Sequence, residues 1–233
     1  MSKPLAADYL VFAFFLLGPF VEWLWLWPRH VRAIAAGARG ARAAYYWATI
    51  ATEWIFTLYV LALWAVFGRP WDNLYLGGSP LFRLGSGLAF ALAVIIFFWY
   101  QHRTILARPQ LIERVRQEMS FADPLSPHTD AERYHFWCVA ITAGICEEIL
   151  YRGFLFSFLR TWSGLTGAIV ISSIVFGWGH IYLGYRQAPR TALVGLFLAV
   201  LVVLTKSLWP AILIHAAMDF SSGELGFAVC RKS

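Results

Sequence analysis

Charge is what this chain lacks most. Only 14% of its 233 residues are Asp, Glu, Lys or Arg, against 60% hydrophobic and 18% aromatic residues, a balance that excludes an ordinary soluble domain. Cysteine is scarce too. Cys138, Cys146 and Cys230 are odd in number and lie in or beside apolar segments, so their spacing suggests no disulfide or zinc framework. The chain contains no clear internal repeat, low-complexity tract or Gly-rich phosphate loop, and no HExxH pair, which argues against a solenoid, a P-loop nucleotide site and a zincin. The net charge of +6 does not imply a nucleic-acid partner, because the basic residues cluster between apolar runs rather than on one face of a soluble module. They set topology instead.

What is abundant is membrane-length apolar sequence. The first run, Tyr9 to Trp27, is followed by Arg29, Arg32, Arg39 and Arg42. Charge after the apolar core is the wrong order for a cleaved signal peptide, so the run is expected to be a first span. Further spans are expected at about 45–67, 85–101, 134–159, 164–180, 191–205 and 208–229. The fold class is therefore all-α: a polytopic transmembrane bundle of about seven spans, with 1–233 forming a single integral-membrane domain in contact with the lipid bilayer.

Loop charge gives an orientation. The 28–44 connection carries four arginines and 102–133 carries Arg103, Arg108, Arg114, Arg116 and Arg133, whereas 68–84 and 160–163 are poorer in basic residues. The positive-inside bias then places 28–44 and 102–133 in the cytoplasm and the N-terminus outside, in the cell membrane. Segment 105–119 reads equally well as a surface-lying or a solvated helix. Trp23, Trp25, Trp27, Trp71, Trp99 and Trp162 fall near expected span ends and suit an interfacial belt.

Against this background a few polar residues stand out. Within WCVAITAGICEEILYRGFLFSFL the chain places Glu147, Glu148 and Arg152, which on translocon scales would cost roughly 3 kcal/mol each if exposed to lipid. They are expected to face the bundle interior. Glu148 and Arg152 are one helical turn apart and can pair, while Glu147 points about 100° away. Arg152 can hold Glu148 ionised; the negative charge of Glu148 and the apolar surroundings then favour proton uptake by Glu147, a candidate general base. His180 ends one span, after Gly177 and Gly179, which admit a close neighbouring helix. His215 and Asp219 share a helix face at i, i+4. Glu22 and Glu53 have no cation or histidine at helical spacing and read as interhelix or interfacial groups. Cys146, flanked by carboxylates, lacks the electropositive setting of a catalytic thiol.

The patterns Glu147-Glu148-x-x-x-Arg152, Phe176-x-x-x-His180 and His215-x-x-x-Asp219 resemble, in order, the three signatures of the CPBP family. These are the CAAX-protease and bacteriocin-processing type intramembrane endopeptidases. The resemblance covers about 134–220, leaving 1–133 as N-terminal spans and a cytoplasmic segment of unassigned role. It implies cofactor-free, glutamate-dependent hydrolysis of a peptide bond in a membrane-anchored peptide or protein substrate, which in some members is a prenylated CAAX tail. Under it, Glu147 with His180 activates water, Arg152 orients the glutamate pair, and His215 with residue 219 stabilises the oxyanion. Family members commonly carry asparagine where this chain has Asp219. A neutral Asp219 could donate to the oxyanion; an ionised one would orient His215, the reading favoured here. Two other classes stay open: a metal enzyme, since histidines and carboxylates form an N/O ligand set, and a non-catalytic immunity, scaffold or transport protein.

Overall fold

In a membrane a backbone must satisfy its own polar groups, and a helix does so within one segment. The computed structural model describes residues 4–231, and among them the chain is helical with no strand. Helix α1 (Ala6–Val21) passes through a π-helical turn, Glu22–Leu26, into α2 (Trp27–Ala35). Then come α3 (Ala41–Val66), α4 (Leu81–Leu106) and the short α5 (Pro109–Glu118). Helix α6 (Asp130–Glu147) runs through a second π-helical segment, Glu148–Leu155, into α7 (Phe156–Gly179), followed by α8 (Gln187–Thr205) and α9 (Trp209–Arg231).

Every expected run is helical. Among the described residues, five helical stretches are long and apolar enough to cross a membrane: Ala6–Ala35, Ala41–Val66, Leu81–Leu106, Asp130–Gly179 and Gln187–Thr205. The 50-residue stretch contains two of the expected runs, and its break is Gly164, at φ 67° and ψ −172°, a conformation open to glycine and costly for other residues. Helix α9 is long enough to cross, but His215, Asp219 and Glu224 lower its apolarity.

Two devices fix the ends of the elements that matter. Thr129 opens α6 with a reciprocal cap: its Oγ1 accepts from the Glu132 amide at 3.2 Å, and the Glu132 carboxylate accepts from the Thr129 and His128 amides at 3.2 and 2.8 Å. At the opposite end of α3, Arg69 donates both guanidinium nitrogens to buried Asp8 at 2.8 Å each. This bidentate pair ties the start of α1 to the end of α3.

Packing then centres on α6 and the π segment. Helix α6 lies against α3 and α9, α4 against α9, and α7 against α8. Two buried apolar clusters flank the π segment: Val11, Phe15, Val60, Trp64, Leu150 and Phe154 on one side, and Ala91, Ile149, Leu198, Leu208 and Ile214 on the other. Outward faces carry large apolar side chains such as Leu58, Leu81, Phe82 and Phe97, as lipid contact requires.

The α6–α9 crossing is close because of Gly144. A Cβ there would lie 2.7 Å from the Ala216 Cβ and 2.9 Å from its backbone nitrogen. Substituting Gly144→Val is therefore expected to push α9 away from α6 and to destabilise the protein by about 1–3 kcal/mol, read as a lowered midpoint of thermal unfolding in detergent. An unchanged midpoint would mean that the two helices do not meet at this position.

Candidate active site

The residues picked out by their cost in lipid converge where α6, the π segment and α9 meet. Glu148 begins the π segment and Arg152 lies within it, both fully buried. A turn closed i→i+5 takes in one extra residue and redirects the side chains that follow, and such turns recur at functional sites. Here it sets Arg152 over Glu148, with Nη1 donating to Oε1 at 2.7 Å. The guanidinium also donates through Nη2 to the Gly195 carbonyl of α8 at 3.3 Å and lies 4.2 Å from the centroid of the Phe176 ring. Gly195 permits this, since a Cβ on it would press on Phe176 at 3.0 Å.

The Gly144–Ala216 contact brings His215, the residue before Ala216, down on the same carboxylate. His215 Nδ1 lies 2.7 Å from Glu148 Oε1. That oxygen already accepts from Arg152, and Nδ1 donates to it. The ring's orientation is thereby fixed, and Nε2 is the nitrogen that faces the rest of the site. It lies 3.8 Å from Glu147 Oε2 and 3.6 Å from Asp219 Oδ2, beyond a direct hydrogen bond and suited to a bridging atom. The second oxygens of Glu147 and Glu148, both Oε2, are buried and accept no hydrogen bond.

Glu147, Glu148, Arg152, His215 and Asp219 thus form one chain of contacts. His180 stands beside it rather than in it. Its Nδ1 donates to the Phe176 carbonyl at 2.9 Å. The Phe176 ring separates the two imidazoles, with centroids 4.8 Å from His180 and 5.8 Å from His215, and His180 lies within electrostatic reach of Asp219. Gly177 works as its spacing suggested: a Cβ there would run into α8 at the Ala188 carbonyl and the Ala192 side chain.

Sequence reasoning undervalued Glu53. Glu22 is an interhelix group as expected, accepting from Tyr45 at 2.6 Å. Glu53, by contrast, has a buried Oε2 with no hydrogen-bond partner and lies within electrostatic reach of Glu147 and Asp219. The neighbouring Trp54 donates to Thr142 of α6 at 3.3 Å and locks α3 in that register. The available signal was simply a carboxylate in mid-span without a partner on its own helix. Tyr182 was also missed; it stacks on His180 at 6.2 Å and lies within electrostatic reach of Glu147 and Asp219. Cys146 is buried and packed toward Thr57 and the carboxylates, with no imidazole on it.

A multi-pass membrane bundle that buries paired carboxylates against histidines has the makings of an intramembrane hydrolase. Residues 130–221, which hold all six of the residues singled out, match the family model described as Type II CAAX prenyl endopeptidase Rce1-like. The resemblance read from the three motifs is thus borne out over this segment. No curated protein and no solved structure matches the chain.

The Arg152–Glu148 pair gives a direct test of the constellation. Arg152→Met leaves a buried carboxylate with one partner instead of two and is expected to cost about 3 kcal/mol of stability. Adding Glu148→Gln should restore much of that loss, as measured by denaturant unfolding in micelles. A single variant as stable as wild type would show that the pair is not buried as described.

Proposed function

We propose that the protein is an endopeptidase that hydrolyses a peptide bond of a membrane-anchored substrate with water activated at Glu147. The observation that carries this reading is the fixed orientation of the His215 ring. With Nδ1 given to Glu148 at 2.7 Å, Nε2 is turned toward Glu147 and Asp219 at 3.8 and 3.6 Å.

Chemistry follows from these positions. Glu147, with an unpartnered buried oxygen, takes a proton from the attacking water, and the acceptor nitrogen of His180 assists. The water oxygen bonds to the substrate carbonyl carbon. Negative charge develops on the carbonyl oxygen, where protonated His215 donates through Nε2–H. Glu148 and Arg152 hold that imidazole, and Asp219, close to Nε2, favours its charged form as a carboxylate. Collapse of the intermediate breaks the C–N bond, and the proton held by Glu147 leaves with the amine.

The substrate reading is coarser. Membrane-anchored peptides and protein tails suit a site enclosed by helices, prenylated CAAX tails among them. We place 28–44 and 102–133 on the cytoplasmic side on the strength of their arginines, and read 134–220 as the catalytic core of a single membrane domain.

Glu147→Gln keeps the shape and removes the base. Assayed in detergent on a library of membrane-anchored peptides, it is expected to lower cleavage by about 10²–10⁴-fold while leaving unfolding unchanged. Cys146→Ser should cleave at the wild-type rate. Equal cleavage by the Glu147→Gln variant would remove Glu147 as the base, and loss of cleavage in Cys146→Ser would point to a thiol mechanism.

A further inference from the structure

Away from this site, three side chains of unlike chemistry meet at the far end of α9. Cys230 Sγ lies 3.2 Å from His128 Nε2, His128 Nε2 lies 3.3 Å from Asp123 Oδ1, and Cys230 Sγ lies 3.8 Å from the same Asp123 oxygen. The thiol is 102 residues from the histidine in sequence, which is why no spacing pattern reveals the group.

We infer that Asp123, His128 and Cys230 form a binding site for a borderline-soft divalent cation of the zinc class. Zinc bonds to sulfur, imidazole nitrogen and carboxylate oxygen at about 2.3, 2.0 and 2.0 Å, so the edges of a tetrahedral site are about 3.3–3.5 Å. The three separations here agree with those edges to within about 0.3 Å. The donor set combines the S, N and O ligands that zinc accepts and that magnesium or calcium does not prefer. A Cys–His–Asp catalytic relay fits less well. In a relay the acid and the thiol engage opposite nitrogens of the imidazole, whereas here both address Nε2.

The ligands are held in advance. The His128 amide donates to Glu132 at 2.8 Å as part of the α6 cap, and Asp123 sits in the 3-10 turn Ser120–Leu125, where its carbonyl accepts from Ser126 at 3.0 Å. The Asp123 and His128 side chains are 54% and 37% exposed, which gives a metal a path in and leaves a fourth position for water. One charge opposes it: Arg42 Nη2 lies 3.2 Å from His128 Nε2 and must swing aside for a cation to bind. Arg116 is engaged elsewhere, with Glu113 at 3.1 Å and the Val229 carbonyl at 3.1 Å.

A bound cation would clamp the end of α9, the helix that carries His215 and Asp219, to the segment leading into α6, the helix that carries Glu147. Occupancy would then stabilise the helix pair on which the site is built. This inference does not depend on the protease reading, because the ligands lie outside that site.

The experiment uses the full chain in detergent, stripped with chelator and titrated with Zn²⁺ and with Co²⁺. Expected are one zinc per chain, a raised unfolding midpoint, and a near-ultraviolet thiolate-to-cobalt band. Cys230→Ser and His128→Gln should each weaken zinc by at least the roughly 10–100-fold that loss of an outer partner costs and abolish the band. Arg42→Gln should tighten binding. No binding by wild type, or zinc affinity and a thiolate band unchanged in Cys230→Ser, would overturn the assignment and place any bound metal elsewhere.

Discussion

The structure turns on one carboxylate oxygen. Glu148 Oε1 receives Arg152 from its own helical segment and His215 from α9, each at 2.7 Å, in a place with no access to solvent. A lone carboxylate there would be costly enough to pick up a proton or to draw in water. With a guanidinium and an imidazole on it, the charge is balanced and three side chains are fixed in direction. Losing either partner would leave the other two without a reason to stay put.

Much of the helix packing can be understood as what this contact requires. The π segment places Arg152 over Glu148, Gly144 lets α9 approach until His215 reaches the same oxygen, and Gly195 offers a backbone carbonyl to the guanidinium. Phe176 covers Arg152 from one side and keeps His180 apart from His215. The result is asymmetric in a useful way. Glu148 holds Arg152 and His215 on one oxygen, while Glu147, the adjacent residue, lies 3.8 Å from the other nitrogen of the same imidazole. Two neighbouring carboxylates of identical chemistry are thereby given different surroundings, the difference on which the proposed division of roles rests.

The sequence made the fold class legible because a lipid solvent leaves few choices: long apolar runs must be helices. The buried polar cluster was legible for the same reason, since Glu147, Arg152 and His215 are too costly in lipid to face it. What could not be read was the geometry that comes from helix crossings. Nothing in the spacing of His180 and His215 says which of them meets the glutamate pair, and the structure gives that contact to His215. Glu53 was passed over because helical spacing shows only partners on the same helix, whereas its neighbours Glu147 and Asp219 are on others. The meeting of Cys230 with His128 was hidden by chain separation in the same way.

The most direct measurement is nitrogen-15 NMR of histidine-labelled protein in bilayers, with the His215 signals identified by their loss in His215→Asn. The account predicts an Nδ1–H of His215 in a strong hydrogen bond to a carboxylate, and a clear shift of that resonance in Glu148→Gln. A His215 signal unaffected by Glu148→Gln would contradict it, because the imidazole would then be oriented by something other than the oxygen on which the site is built.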